Sequence, residues 1–312
     1  MQTPELISAL ILLGVIATIY TLEGSLFLRF FASKLGNKPP KMTLLSKPAV
    51  VLHCLASLGV LCFLYGYFIE PYLVEVKTVD IFTGKLKETS LKVVQISDLH
   101  CDKKIRNEYK LVKIINSLEP DIVVFTGDAL NTQEALPVFK NTLRTLNAKL
   151  GKYAVQGNFD AWYFNGLDLF SGTGFQELDK ASVRLSKNGE SFYISGAGCQ
   201  YEDFYRDALR NIPDNYFNIF LYHYPDLIED LKGLNVDLYL AGHTHGGQVA
   251  IPFYGALVTF SRFGKKYESG EHLVGNTILS VNRGIGMEGG TAPRIRFFAR
   301  PEITIFDIKP RN

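Results

Sequence analysis

The first 72 residues differ from the rest of the chain in their pattern of apolar and polar positions. No charge interrupts residues 6–22, and a second uncharged run covers residues 49–69. Both runs are close to the roughly 20 residues that a membrane-spanning helix needs. A cleaved signal peptide would carry basic residues before the first run, and none precedes it. The pattern predicts a membrane anchor of two apolar helices over residues 1–72 and a separate domain over residues 73–312.

After residue 70, short apolar runs alternate with amphipathic segments. Strands are predicted at 91–98, 121–128, 152–158, 218–223 and 236–243, and helices at 108–118 and 133–146. This alternation predicts βαβ units and therefore parallel strands. The last third of the chain, with glycine-rich turns and the alternating run EITIFDI (302–308), predicts a second, more antiparallel sheet packed on the first.

Every predicted parallel strand ends in a side chain that can bind a metal ion. The carboxyl ends of strands in an α/β sheet meet at one edge, so these residues are expected to converge: Asp98, His100, Asp128, Asn158, His223, His243 and His245. Each alone has an ordinary alternative, as a turn former or a hydrogen-bonded histidine. Together, carboxylate, imidazole and amide groups favour manganese, iron, zinc or cobalt. Two ions about 3.5–4 Å apart need a shared ligand, and Asp128 is the natural candidate.

The sequence resembles the calcineurin-like metallophosphoesterases over residues 91–308, and most of all their membrane-associated bacterial branch. The matching blocks, in the order of the family, are D-x-H (98–100), G-D (127–128), G-N (157–158), a single histidine at 223 and G-H-x-H (242–245). The resemblance implies an α/β fold, an αββα sandwich of two mixed β-sheets flanked by helices. It also implies a hydrolase that acts on phosphoesters.

The resemblance further implies how two divalent ions would be bound, manganese first, with zinc, iron or cobalt as alternatives. One ion would be held by Asp98, His100, Asp128 and His245. The other would be held by Asp128, Asn158, His223 and His243. Among these ligands, Asp128, Asn158 and His243 are expected to take part in catalysis.

The third block departs from the family pattern at one position. The pattern continues G-N-H-[DE], with the histidine near the leaving-group oxygen, whereas Phe159 stands here. A benzyl group can neither donate a proton nor hydrogen-bond an oxyanion. An expelled alkoxide profits from a general acid, but a phosphate expelled from a pyrophosphate is a weak base with a second pKa of about 6. The substitution therefore favours a pyrophosphate substrate, with loss of activity as the alternative.

Aromatic and basic residues near the blocks fit a large, partly apolar substrate. The segments 159–170 and 251–263 are aromatic but broken by glycine, which predicts loops at the metal edge, with ordinary core packing as the alternative. The expected substrate contacts are Phe159, Trp162, Arg283 and Arg294, while Arg296 and Arg300 are further cations that could meet phosphate oxygens.

The chain combines a membrane anchor, aromatic loops and a site suited to a weakly basic leaving group. In this combination it resembles the UDP-2,3-diacylglucosamine pyrophosphatases of lipid A synthesis. This resemblance implies a phosphorylated, lipid-linked substrate whose pyrophosphate bond is hydrolysed to give a lipid monophosphate and UMP. Two alternatives stay open. The chain could be an exported membrane-bound phosphatase or phosphodiesterase that acts on envelope phosphoesters, or a non-catalytic metal-binding module.

Charge and cysteine content exclude other classes. A net charge of +2 without a long basic run argues against nucleic acid as a partner, and no protein partner is implied. The four cysteines, at 54, 62, 101 and 199, lack the spacing of a disulfide framework or a zinc site.

The segment between the two apolar runs is basic and predicts the orientation in a bacterial cytoplasmic membrane. It contains Arg29, Lys34, Lys38, Lys41 and Lys47, and Pro39-Pro40 breaks it. The positive-inside rule places such a linker in the cytoplasm, which would export the catalytic domain. If the second run lies in the interface instead of crossing, the domain stays cytoplasmic.

Overall fold

The fold comes from a computed structural model that describes residues 3–36, 43–200, 205–289 and 293–311. Lys38, Lys41 and the Pro39-Pro40 break of the predicted linker lie outside the described residues.

Two apolar helices form an antiparallel hairpin at the start of the chain. Helix α1 covers Thr3–Leu35 and helix α2 covers Lys47–Phe68, followed by a single 3-10 turn at Glu70–Tyr72. The Tyr20 hydroxyl donates to the Ala56 carbonyl at 2.9 Å. Most of the side chains are exposed, and both helices are long and apolar enough to cross a membrane. The hairpin has the composition of a membrane anchor.

The first sheet has six strands in the order β1-β14-β2-β3-β4-β5. Their bounds are β1 Glu75–Thr83, β2 Leu91–Ile96, β3 Ile122–Phe125, β4 Gly151–Ala154, β5 Phe175–Glu177 and β14 Glu302–Pro310. Strands β2 to β5 are parallel, whereas β14 runs parallel to β1 and antiparallel to β2. The helices between them are α3 Glu108–Ser117, α4 Leu136–Arg144 and α5 Asn158–Tyr163.

The second sheet also has six strands, in the order β12-β13-β9-β8-β7-β6. Their bounds are β6 Ala181–Lys187, β7 Glu190–Gly196, β8 Asn218–Leu221, β9 Leu238–Ala241, β12 Gly270–Val274 and β13 Thr277–Val281. The short helix α6 covers Tyr205–Leu209, and a two-stranded ribbon pairs β10 Ala250–Ile251 with β11 Gly255–Ala256.

The two sheets pack face to face, with further apolar layers on their outer faces. Val93 and Val124 of the first sheet share a buried cluster with Leu221 and Leu240 of the second. A second cluster joins the first sheet to α3 and α4, and a third covers the outer face of the second sheet. This arrangement confirms the predicted sandwich of two mixed sheets flanked by helices.

The assignment of strands to sheets was partly wrong. The run at 302–308, predicted for the second sheet, is β14 and lies inside the first, while β8 and β9 belong to the second sheet. Hydrophobic pattern predicts a strand but not its neighbour, because pairing depends on contacts distant in sequence. Both sheets deliver their strand ends to the same region, since Gln95 Nε2 of β2 donates to the Ala241 carbonyl of β9 at 2.9 Å.

Candidate metal centre

The loops after β2, β3, β4, β8 and β9 bring the predicted ligands together. Asp98 Oδ1 lies 3.3 Å from His245 Nε2, and Asp128 Oδ2 lies 3.2 Å from His223 Nε2 and 3.6 Å from His100 Nε2. Two groups have ligand atoms within 4.8 Å of one another, Asp98 with His100 and His245, and Asp98 with Asp128 and His223.

The remaining two residues of the set lie beside these groups. His243 Nδ1 is 2.9 Å from Asn158 Oδ1, and the His243 backbone N–H donates to the Asp98 carboxylate at 3.1 Å. All seven side chains are therefore connected through short polar contacts. Their assignment to two particular ions remains a prediction.

The backbone of these loops is strained where the ligands lie. Five residues have a positive φ, namely Asp98 (48°), His100 (38°), Asp128 (60°), His243 (74°) and His245 (52°). Such a conformation is uncommon for residues other than glycine, and strain of this kind clusters at functional sites. The loops therefore position these side chains at a cost in conformational free energy, which the packing of the surrounding sheets must offset.

Two motif glycines permit this close packing. A Cβ on Gly157 would lie 2.1 Å from Asp128 Oδ1, and one on Gly242 would lie 2.0 Å from Ser97 Oγ. Neither contact is possible for a real side chain. The glycines of the G-N and G-H-x-H blocks are thus required by the approach of one loop to the next.

Buried imidazole nitrogens without partners fit a metal site. Among the described residues, neither ring nitrogen of His100 has a hydrogen-bond partner, nor does His223 Nε2, although both rings are fully buried. Burying a polar atom unpaired is costly. His223 Nδ1 lies 2.6 Å from the Thr126 carbonyl, which orients the ring with Nε2 towards Asp128. A ring held in this way presents a free nitrogen to a cation.

The charges of the centre also fit a cation. Burial raises the pKa of Asp98 to about 7, and the nearby Asp128 contributes to this rise. Burial lowers the pKa of His100 to about 4 and that of His243 to about 3. Neutral imidazoles are the form that binds metal ions. Burial lowers the pKa of His223, but the Asp128 and Asp98 carboxylates outweigh it and raise that pKa to about 10. A proton on His223 thus balances the two buried carboxylates, and a bound cation would take its place.

Two acidic residues near the centre were missed in the sequence analysis. Asp160 is fully buried, and its carboxylate accepts from the backbone N–H groups of Asp128, Ala129 and Gly157, each at 2.9 Å. It joins the G-D loop to the G-N loop. An acid at the third position of a helix, as in a capping box, was the available signal.

The second missed acid is Glu288. Its backbone is fixed by Gln248, which accepts from the Glu288 N–H and donates to its carbonyl, both at 3.0 Å. Burial raises the pKa of Glu288 to about 7, with the charge of Asp128 adding to the rise and His223 opposing it. The charges of Asp128 and His223 thus act on its carboxyl. Nothing in the local sequence around residue 288 points to this role.

The predicted substrate residues lie in different surroundings. Phe159 packs its ring edge-on against His100, with centroids 4.8 Å apart, and Trp162 is 65% exposed on the same short helix. Arg283 is paired with Glu302 at 2.6 Å and Glu75 at 2.7 Å. Their role as substrate contacts remains a prediction. Arg283 is the least available for it, because its guanidinium is already paired with two carboxylates.

Arg294 and Arg296, two of the other predicted arginines, differ in burial. Arg294 is partly exposed and pairs with Asp102 at 2.6 Å, close in sequence to His100. Arg296 is fully buried, donates to the carbonyls of Gly286 and Ala299, and lies 3.3 Å from His245 Nδ1. Arg296 thus supports the loops around the centre, and Arg294 is the more accessible cation.

The fold and the centre together define a metal-dependent hydrolase class built on a two-sheet α/β sandwich. Residues 91–247 match the calcineurin-like phosphoesterase family. The chain is 33% identical to metallophosphoesterase YkuE of Bacillus subtilis over 80% of this chain and 91% of that protein. The chain belongs to the calcineurin-like phosphoesterase family and is a hydrolase.

Two further comparisons concern a named activity and a solved structure. The chain is 28% identical to the UDP-2,3-diacylglucosamine pyrophosphatase LpxG of Chlamydia muridarum, over 82% of this chain and 95% of that protein. The crystal structure of TT1561 of Thermus thermophilus aligns over 64% of this chain and 92% of its own, with 14% identity and a TM-score of 0.43.

Proposed function

We propose that the chain is a membrane-bound, dinuclear metal hydrolase that cleaves the phosphoanhydride bond of a lipid-linked substrate. UDP-2,3-diacylglucosamine is the first candidate, with UMP and a lipid monophosphate as products. The observation that carries the proposal is the convergence of the seven predicted ligand residues beside a phenylalanine, Phe159, at the position where the family pattern has a histidine. Domain 73–312 would perform the reaction, and the hairpin within 1–72 would hold it at the membrane.

The ligand set fits two divalent ions, manganese first. Asp98, His100, Asp128 and His245 would hold one ion, and Asp128, Asn158, His223 and His243 the other. When bound, two such ions supply positive charge that stabilises phosphoryl oxygens and lowers the pKa of water. The chain itself holds the ligands in place through the strained loops and through Asp160, whose three backbone contacts fix the two loops that would share the ions.

Phe159 supports the choice of leaving group. Its backbone N–H donates to Asp128 Oδ1 at 2.9 Å, while its ring contacts His100 and the ring of Tyr163, the latter at 5.1 Å. Neither the Phe159 ring nor its N–H, which is held by Asp128, offers a proton to a leaving group. A departing phosphate needs little protonation, whereas a departing alkoxide needs much, so the site as built is better suited to the pyrophosphate.

Similarity to the LpxG proteins supports the lipid-linked substrate. The chlamydial proteins carry UDP-2,3-diacylglucosamine pyrophosphatase in their names, and two of them are 27% and 28% identical to this chain. The two apolar helices support the same choice, because a hydrolase tied to the bilayer meets lipid substrates at high local concentration.

The test is hydrolysis of UDP-2,3-diacylglucosamine by the full-length protein in detergent with Mn²⁺, measured as UMP release. Asp128→Asn and Asn158→Ala should abolish turnover and lower the bound metal, because each removes an oxygen ligand. Asp168→Asn is the matched control, since its side chain is 62% exposed, pairs with Lys140 and accepts from the Ser171 N–H, which an amide oxygen can still do. Wild-type turnover in Asp128→Asn would contradict the dinuclear centre.

A second candidate is an exported enzyme that acts on envelope phosphoesters. It is favoured by the hairpin, because the helix ends that flank the basic linker lie opposite to the catalytic domain. Lys34 and Lys47 lie at these ends. If the linker is cytoplasmic, the domain lies outside the cytoplasm, where a cytosolic nucleotide lipid would be out of reach. The same Mn²⁺ assay with a lipid phosphate monoester, measured as phosphate release, tests this candidate.

A further inference from the structure

Three exposed phenylalanines lie where the catalytic domain meets the hairpin. Phe253, Phe260 and Phe298 are 111%, 58% and 57% exposed. All three also have a left-handed backbone, with φ of 67°, 55° and 53°. A bulky residue in this conformation is an outlier, and an apolar ring in water adds a further cost. We call these residues the phenylalanine collar.

The loop that carries Phe253 and Phe260 is attached to the hairpin through neighbouring residues. The Tyr254 hydroxyl lies 2.6 Å from Ser8 Oγ, next to Phe253. The buried Glu5 carboxylate accepts from the backbone N–H of Thr259 at 3.0 Å, next to Phe260. These contacts attach the 253–260 loop to the start of α1. The loop is therefore held at the level where the first apolar helix begins.

The third collar residue is attached to the end of α2. Glu70 Oε2 accepts from the Phe298 N–H at 3.0 Å and Glu70 Oε1 accepts from the Ala299 N–H at 2.6 Å. Tyr65 of α2 packs edge-on against Phe297, with centroids 6.2 Å apart. The collar is thus continuous with the apolar surface of both helices.

The collar also reaches the metal centre. The Phe260 carbonyl lies 3.4 Å from His243 Nε2, and the Arg296 guanidinium, two residues before Phe298, lies 3.3 Å from His245 Nδ1. Lys265, whose Nζ lies 3.6 Å from the Tyr254 ring centroid, adds a cation beside the aromatic loop. Aromatic rings with a neighbouring lysine are typical of the bilayer interface.

We propose that the phenylalanine collar inserts into the lipid leaflet that holds the hairpin, so that a lipid-linked substrate passes from the leaflet to the metal centre with its acyl chains still in lipid. The proposal rests on the membrane placement and lipid substrate of the proposed function. The partner is the bilayer itself, because the collar extends the surface of two helices that already have the composition of membrane spans.

Tryptophan quenching tests the insertion without any reaction. Since Trp162 is the one tryptophan of the chain, Phe253→Trp and Phe298→Trp are each made in the full-length Trp162→Phe chain. The proteins are placed in phosphatidylethanolamine and phosphatidylglycerol vesicles with brominated acyl chains. We expect loss of fluorescence at both positions and protection from aqueous acrylamide. Leu273→Trp, at a position 75% exposed on β12, is the control and should show the reverse.

Kinetics test the delivery of substrate. Phe253→Ser should lower kcat/KM roughly tenfold on UDP-2,3-diacylglucosamine in vesicles, since one apolar ring leaves the lipid. Hydrolysis of soluble bis(p-nitrophenyl) phosphate should not change. Leu273→Ser should change neither rate. Equal losses on both substrates would assign Phe253 a structural role and overturn the proposal.

Failure of the two proposals can be told apart. A collar tryptophan that acrylamide quenches and brominated lipid does not would overturn insertion, whatever the enzyme hydrolyses. A wild-type protein that hydrolyses neither substrate while its collar is quenched by lipid would contradict the proposed function and leave the insertion standing.

Discussion

Phe159 is the residue at which the chemistry of the centre departs most from the pattern of its family. Its ring contacts His100 and its N–H contacts Asp128. We expect Phe159→His to change pyrophosphate hydrolysis little or to lower it, and to raise hydrolysis of an alkyl phosphodiester. General-acid catalysis contributes roughly 10²–10⁴-fold where it is needed, so the ratio of the two rates should shift by at least about tenfold.

The measurement is kcat/KM on a matched pyrophosphate and alkyl diester, with metal content checked. Tyr163→His is the control, because it adds an imidazole one helical turn away, at a side chain 66% exposed. Equal acceleration of both substrates by Phe159→His would mean that Phe159 serves packing and not leaving-group selection.

Glu288 allows a prediction on pH. Burial raises its pKa from the ordinary 4.5 to about 7. A carboxyl whose pKa is higher in the folded chain stabilises the fold below its unfolded pKa and loses that contribution as the pH rises through about 7. Glu288→Gln stays neutral, so it should resemble wild type at pH 5 and be more stable at pH 8, by about 1–3 kcal/mol.

This comparison is made by thermal melting in detergent after chelation, because bound cations would lower the carboxyl pKa. Glu119→Gln is the control, since the Glu119 side chain is 78% exposed. Parallel pH profiles for Glu288→Gln and wild type would show that the Glu288 carboxyl is not held in its neutral form.

Some residues of this centre can be predicted from the sequence, and others cannot. Asp98, Asp128 and the other ligands could be found because each follows a strand with a recognisable apolar run. Glu288 could not be found, because it does not directly follow a strand and its backbone is fixed by Gln248, 40 residues away. Residues placed by long-range contacts lack a local signal.

At the scale of elements, the order of strands in the sheets was hard to predict for the same reason, since it depends on contacts between residues distant in sequence. Each predicted strand of the catalytic domain exists, since apolar alternation marks a half-buried strand. Strand β14 entered the first sheet between β1 and β2, a neighbourhood that its own sequence does not encode. The loops that follow the strands do meet, as predicted, although the strands belong to two sheets and not to one. The ends of β2 and β9, from different sheets, lie together.

The junction between α2 and the catalytic domain depends on Glu70. Its side chain is 1% exposed and accepts from two backbone N–H groups. Glu70→Ala leaves these donors unpaired, and we expect a loss of about 2 kcal/mol, since each unsatisfied buried group costs about 1–3 kcal/mol. Thermal melting of the full-length protein in detergent measures the loss.

Glu75→Ala is the control for this junction. Its carboxylate is 45% exposed and pairs with Arg283, and such pairs contribute about 0–1 kcal/mol. Equal stability of the two variants would show that Glu70 does not tie the hairpin to the domain. The hairpin would then be attached to the catalytic domain less firmly, near residue 72, than these hydrogen bonds indicate.

At the scale of the whole molecule, the contacts between the hairpin and the catalytic domain lie at one end of the hairpin. The start of α1 contacts the catalytic domain through Ser8, and the end of α2 contacts it through the Gly66 carbonyl, which accepts from the Arg296 N–H at 2.9 Å. Glu23 and His53, paired at 2.7 Å, keep the helices side by side further along. A second helix lying flat in the interface does not fit this pairing.

The end of α1 and the start of α2 therefore lie at the end of the hairpin opposite to the catalytic domain. Helix α1 ends with Lys34 and α2 begins with Lys47, with further lysines in the sequence between them. The positive-inside rule places this end in the cytoplasm. This rule predicts an active alkaline phosphatase and a dark green fluorescent reporter when either is fused after Asn312. That result would replace UDP-2,3-diacylglucosamine by the envelope phosphoesters of the second candidate. The same reporters fused after Gly36 should give the opposite result. If instead the Asn312 fusion fluoresces, the domain is cytoplasmic, charge does not orient this hairpin, and UDP-2,3-diacylglucosamine is within reach of the metal centre.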